Sequence, residues 1–233
     1  MDLRGKKALV FGGTSGIGLA SVIKLRDLGA EVVAISRDPT KAGEIKGVTL
    51  LACDVRDKEA LAALFARQAP FDVLISAATG GSRAAGPFLQ MDLEGYQASF
   101  DKLWGYTNCV RLGTEHLSEQ GCIVLVSGSP ARRAKPGQAA LASVGGAVEQ
   151  FVRAVATEIA PRRINVVSPG VIATPMFGAD SPQREKMLSG ATAKHLIPRP
   201  GTAEEVADGI IFVTCNDYVT GTTIDVDGGW LLS

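Results

Sequence analysis

The sequence predicts a doubly wound α/β fold: one parallel sheet with helices on both faces, in a single domain spanning residues 1–233. Three observations predict it: short apolar β-branched runs that recur along the chain, helix-period segments between them, and a glycine-rich turn directly after the first run. Ala8–Phe11, Val32–Ile35, Val48–Ala52, Val73–Ile75, Ile123–Val126 and Ile164–Val167 are the apolar runs, as strands buried on both faces require. Helical patterns lie between them at roughly 16–29, 57–68, 92–118 and 138–160. Another, at about 203–214, precedes a last strand near 222–226. Strand and helix in alternation imply right-handed crossovers, the Rossmann-type arrangement. The stretch Thr174–Pro200 breaks the rhythm with Pro175, Gly178, Pro182, Gly190, Pro198 and Pro200. It reads as a long loop, and a loop of that length in a compact domain is more often functional, so a substrate lid is expected near 174–200.

Composition narrows the function. Lysine plus arginine (24) balances aspartate plus glutamate (24), so no global field attracts nucleic acid or acidic membranes. No apolar stretch approaches the ~20 residues that span a bilayer. The chain runs from its start straight into a strand, without a leader-like apolar segment. Cys53, Cys109, Cys122 and Cys215 are far apart and form no C-x-x-C pair, which fits reduced thiols in a cytoplasmic protein. No cluster has metal-ligand spacing. A small-molecule substrate is the expected partner.

Val10–Gly18 reads V-F-G-G-T-S-G-I-G. After a first strand, Gly12 permits the tight turn, Gly16 lets backbone approach a pyrophosphate, and Gly18 lets the helix lie close to the sheet. Amide groups at the helix start, from Thr14, Ser15, Gly16, Ile17 and Gly18, then face the anion. Ser36 and Arg37 close the second strand. An arginine there pairs with the 2′-phosphate of NADP, so NADP(H) is favoured, while Asp38 just beyond keeps NAD(H) open.

With these pieces in place, the chain resembles the short-chain dehydrogenase/reductase family over almost its whole length. The matching segments are G-G-T-S-G-I-G (12–18), C-D-V (53–55), R-I-N-V-V-S-P-G-V-I-A-T-P (163–175) and Y-V-T-G-T-T-I-D-V-D-G-G (218–229). The resemblance implies that Asp54, with Val55, lies at the adenine, and that Ala77 and Ala78 border the cofactor after the fourth strand. It also implies that Gly170, Ile172 and Thr174 lie along the nicotinamide. A homodimer or homotetramer is implied too, through the two long helices and the C-terminal V-D-G-G-W-L-L-S.

The departures bear on chemistry. The family's proton-transfer pair, Tyr-x-x-x-Lys, falls on Leu141 and Gly145, and an auxiliary asparagine falls on Lys102. Ser76-Ala77-Ala78-Thr79 stands for the usual Asn-Asn-Ala-Gly, and Phe11 for a threonine. No tyrosine lies between Ser127 and Glu149, so no register shift restores the pair. Lys102 is therefore a candidate proton donor, with Tyr106 one turn later on its face. Ser127 and Ser129, at the carboxyl end of the fifth strand, are candidates to bind a carbonyl, though serines also cap turns. Ser143 reads as a packing residue, Arg132, Arg133 and Lys135 as a solvated basic loop or an anion site, His195 as an acid/base residue or, more often on such a loop, incidental, and His116 as a helix-terminus residue. Two functions follow: an oxidoreductase reducing a small carbonyl or imine with a non-standard proton donor, or a dinucleotide-binding pseudoenzyme that senses cofactor or supports a partner. Restoring Leu141→Tyr with Gly145→Lys should raise activity if the larger side chains fit.

Overall fold

A computed structural model describes residues 1–79 and 83–233. Seven parallel strands form one sheet in the order β3-β2-β1-β4-β5-β6-β7: β1 Lys7–Phe11, β2 Glu31–Ser36, β3 Val48–Ala52, β4 Phe71–Ser76, β5 Leu117–Val126, β6 Arg163–Pro169 and β7 Thr223–Val226. The helices are α1 Gly16–Asp27, α2 Lys58–Gln68, α3 Leu93–Ala98, α4 Asp101–Gly113, α5 Ala139–Ala156, α6 Pro182–Thr192 and α7 Ala203–Cys215.

Strand side chains alternate between two cores, which is why the runs are apolar at every position. Leu9, Phe11, Leu74, Ile123 and Leu125 face one side, where they meet Leu61, Leu64 and Phe65 of α2, Tyr106 and Val110 of α4, and Val148 and Val152 of α5. Ala8, Val10, Ile75 and Val124 face the other, against Val22 and Leu25 of α1 and Val206, Ile210 and Val213 of α7. Each such side chain contributes about 1.5–3 kcal/mol on burial. The sheet order reverses between β1 and β4, so their carboxyl ends diverge and leave a crevice, the place where open α/β sheets bind ligands.

The structure corrects three boundaries. The helix expected over 92–118 is two, α3 and α4, because the Ser99 hydroxyl donates to Gly95 O and accepts from Ala84 N, competing with the helical ladder. Residues after Gly113 turn through Thr114–His116 into β5, which begins at Leu117 rather than Ile123. The expected long loop contains α6, capped by the Ser181 hydroxyl accepting from Arg184 N, with Pro182 at its first position. Leu188 of α6 is buried against Val171 and Trp230, which tethers this segment to the body. Among the described residues, no helix is long and apolar enough to cross a membrane, and the four cysteines are free thiols.

Candidate functional site

The crevice is shaped by places where a side chain cannot fit. Gly12 has φ +76, and a Cβ there would lie 2.8 Å from Ala78 N; its amide donates to Ile35 O. Ala77 N donates to Phe11 O, so Ala77 and Ala78 form the wall beside the turn. A Cβ on Gly18 would stand 2.0 Å from Gly12 O, so only glycine lets α1 start against the turn. Ser15 caps α1 in extended backbone but makes no side-chain cap bond, and no acidic residue occupies the first turn. The amides of Gly16, Ile17 and Gly18 have no helical carbonyl to bond, an arrangement that suits an anion.

Across the crevice, β6 runs out through Gly170, whose amide donates to Val226 O, and Ile172, which bridges to Gly201. Thr174 follows, buried, and its Cβ would be 3.4 Å from a Cβ on Gly16. The turn and the Gly170–Thr174 segment thus face each other, although they are remote in sequence. At the β2 end, Ser36 has a buried hydroxyl with no partner. Asp38 accepts from Thr40 N as the cap of a short 3-10 turn and pairs with Lys41 at 3.5 Å, whereas Arg37 is exposed and, among the described residues, unpaired. Asp54 accepts from Arg56 N, and Val55 is buried with its carbonyl bonded by Asn108.

The candidate proton-transfer side chains gather beside the carboxyl end of β5. Lys102, half-buried on α4, donates from Nζ to Ser127 O at 3.1 Å and lies 5.6 Å from the Tyr106 ring centroid. Loss of water, reinforced by the positive charge of Arg83, lowers its pKa from 10.5 to about 7. The other candidates have internal partners. Tyr106 is fully buried and donates to Val126 O, and burial pushes its phenol above its ordinary range. Ser127 Oγ donates to the buried carboxylate of Glu149 at 3.2 Å, and Ser129, with no exposed surface, donates to Pro169 O. Ser143 accepts from the Tyr96 phenol at 2.8 Å.

Leu141 and Gly145 occupy the first turns of α5, and a Cβ on Gly145 would lie 2.9 Å from Ala131 Cβ. The turn Ser129–Ala131 therefore fills the place a lysine stem would need, and the Leu141→Tyr, Gly145→Lys exchange does not fit without a shift. The basic loop is also not free: Arg132 pairs with Asp225 and Glu149, Arg133 bonds the carbonyls of Trp230 and Leu231, and Lys135 lies 4.4 Å from the Trp230 ring centroid. His195 is buried against Trp230, its Nε2 unpartnered, and burial lowers its pKa. His116 sits in the turn before β5. Arg83 escaped the sequence reading, although an arginine in the loop after β4, at the sheet's reversal, was the available signal.

The family model described as enoyl-(acyl carrier protein) reductase matches residues 12–231. The chain belongs to the short-chain dehydrogenase/reductase family. The chemistry of that family is NAD(P)-dependent oxidoreduction. Its curated relatives include the L-xylulose reductase of Bos taurus, 32% identical across 99% of each chain. Among solved structures, a small-chain dehydrogenase in complex with NADPH superposes with a TM-score of 0.84 at 28% identity, covering 99% of this chain and 100% of that one. The MalC reductase/Diels-Alderase of Malbranchea aurantiaca superposes with a TM-score of 0.89 at 26% identity, covering 100% and 98%.

Proposed function

We propose that this short-chain dehydrogenase/reductase reduces a small carbonyl or imine with NADP(H), and that the Lys102 ammonium supplies the proton. The observation that carries the reading is Lys102 itself: an ammonium held against Ser127 O at the end of β5, with its pKa lowered to about 7, so that both protonation states are populated at neutral pH. Bound NADPH supplies the hydride for the carbonyl carbon. The chain's own residues do the rest. Gly12–Gly18 would present amides to the pyrophosphate, Asp54 and Val55 would border the adenine, and Gly170, Ile172 and Thr174 would line the nicotinamide end. The Lys102 ammonium passes a proton to the carbonyl oxygen as an alcohol forms, and solvent reprotonates the amine. Ser127 and Ser129 position β5 rather than the substrate, because their hydroxyls donate inward. The segment 174–200, with α6, acts as the substrate lid, and the protein works in the reducing cytoplasm.

NADP(H) rather than NAD(H) follows from the division of labour at β2: Asp38 is engaged as a cap, and Arg37 is left for a 2′-phosphate. NADPH should bind more tightly than NADH, and Arg37→Ala should reduce that preference roughly tenfold or more, since a charge-assisted bond contributes about 1.5–3 kcal/mol. Equal affinities for the two cofactors in titration calorimetry of the unaltered protein would sink the assignment.

We also infer a homodimer or homotetramer. Leu93 and Trp104 on α3 and α4, and Leu196, Ile197 and Leu232 near the carboxyl end, are large apolar side chains left exposed by a single chain. Light scattering at micromolar concentration should return a multiple of 24.3 kDa, and a monomer would contradict it.

The second reading, a dinucleotide-binding pseudoenzyme, draws support from Gly145, where the tight contact with Ala131 leaves no room for a lysine. Consumption of NADPH with a broad panel of ketones, aldehydes and imines decides between the two. Turnover with none of them, alongside normal NADPH binding, replaces the reductase by the pseudoenzyme.

A further inference from the structure

We propose that the cavity lined by Arg83, in the segment between β4 and α3, selects substrates that carry an anionic group, a carboxylate or a phosphate, and that Arg83 binds it. This deepens the reductase reading and rests on it for the word substrate, though the anion site itself does not need turnover.

Arg83 lies in the segment between β4 and α3, at the reversal of the sheet order. Its Nη1 reaches across the crevice to Met176 Sδ at 2.8 Å, at the start of the segment that carries α6. A thioether is a weak acceptor, and a guanidinium carries five donors, so among the described residues Arg83 keeps donors without a strong acceptor. Several arginines find acids, as Arg56, Arg132, Arg163 and Arg199 do, although Arg37 does not. Among the described residues, Arg83 and Lys102 pair with none.

Arg83 also lines a cavity with Ala84, Gln90, Met91, Asp92 and Gly95. Arg83 keeps solvent contact yet stands in a concave place, where surrounding protein lowers the pKa of its guanidinium, and its charge acts on Lys102. A positive charge partly stripped of water is relieved by a group of opposite sign. Asp92 lines the same cavity but does not provide that relief, because its carboxylate accepts from the amides of Glu94 and Gly95 as the cap of α3. The planar fork of Arg83 suits a carboxylate or phosphate, and Lys102 then stands near the reducible carbonyl.

Matched pairs test this: phenylglyoxylate against its methyl ester, and dihydroxyacetone phosphate against dihydroxyacetone, with NADPH. The kcat/KM ratio should favour the anionic member of at least one pair by about tenfold or more, and which pair responds separates carboxylate from phosphate. Arg83→Gln should collapse that ratio and Arg83→Lys should retain part of it, whereas a purely structural role would lower both members of a pair equally. In parallel, benzoate and inorganic phosphate are titrated calorimetrically into the protein with and without NADPH, and into Arg83→Gln. If neutral ketones are reduced as well as the acids and neither anion binds in an Arg83-dependent way, the anion site is overturned and the reductase stands. If no carbonyl is reduced but an anion binds only when Arg83 is present, the site stands and the reductase reading falls.

Discussion

Lys102→Met lowers NADPH-dependent reduction of any accepted carbonyl by about 10²-fold or more, the usual contribution of a positioned general acid, while NADPH affinity stays near that of the unaltered protein. Methionine keeps an unbranched apolar stem and removes the ammonium that lies 5.6 Å from the Tyr106 ring centroid. The pH profile carries the same signature. The ammonium is the donor, and in the folded protein it is lost above about 7, so kcat/KM for reduction should fall roughly tenfold per pH unit above that point. The descending limb should be absent from Lys102→Met. Stability should move the opposite way to activity. Burial lowers the lysine's pKa from 10.5 to about 7, so below about 7 the folded state holds a charge that its surroundings disfavour. As pH rises from there toward 10.5, the folded state sheds the proton before the unfolded chain does, and that cost fades. Lys102→Met should therefore raise the Tm more at about pH 6 than at about pH 9, by a difference of about 2 °C or more. A variant with full activity, or one whose Tm gain does not depend on pH, would remove Lys102 from the chemistry.

Gly18→Ala abolishes useful cofactor binding. The added carbon would lie 2.0 Å from Gly12 O, a backbone atom in a turn pinned by the bond from Gly12 N to Ile35 O, so the start of α1 must move away. That displacement spoils the convergence of the Gly16, Ile17 and Gly18 amides on one phosphate. Two charge-assisted bonds lost at about 1.5 kcal/mol each correspond to an affinity loss of roughly 100-fold or more, and overpacking lowers stability by about 1–3 kcal/mol. Gly190→Ala is the control: it lies in α6 with no atom within 4 Å of the new carbon, and it should leave NADPH binding unchanged. Calorimetric titration of both variants reads the difference, and normal NADPH affinity in Gly18→Ala would place the cofactor elsewhere.

Both predictions come from positions visible in the sequence, but for different reasons. Gly12, Gly16 and Gly18 were legible because a tight turn, a close backbone approach and helix–sheet contact each demand a residue without a side chain, and the spacing is local. The strands were legible because burial on both faces demands unbroken apolar runs, as in Ala8–Phe11 and Ile164–Val167. The helix in 182–192 was legible in principle through Ser181-Pro182, but the surrounding prolines and glycines argued for a loop. Asp38-Pro39 carried the same cap signal, and with it the reason the acid is not free for a ribose.

By itself, then, the sequence determined the doubly wound sheet, the glycine-rich turn after β1 and the absence of any tyrosine between Ser127 and Glu149, because each depends on residue type at short spacing. Only the tertiary structure decided which candidate side chains have internal partners. Ser127, Ser129 and Tyr106 carry the right groups, but their hydroxyls donate to Glu149, Pro169 O and Val126 O. It likewise set Gly145 against Ala131, where an added Cβ would lie 2.9 Å from the alanine's, and it brought Arg83 to Met176 from a separate element. Those outcomes depend on packing direction and on the loss of water around each charge, which are set by segments distant in the chain.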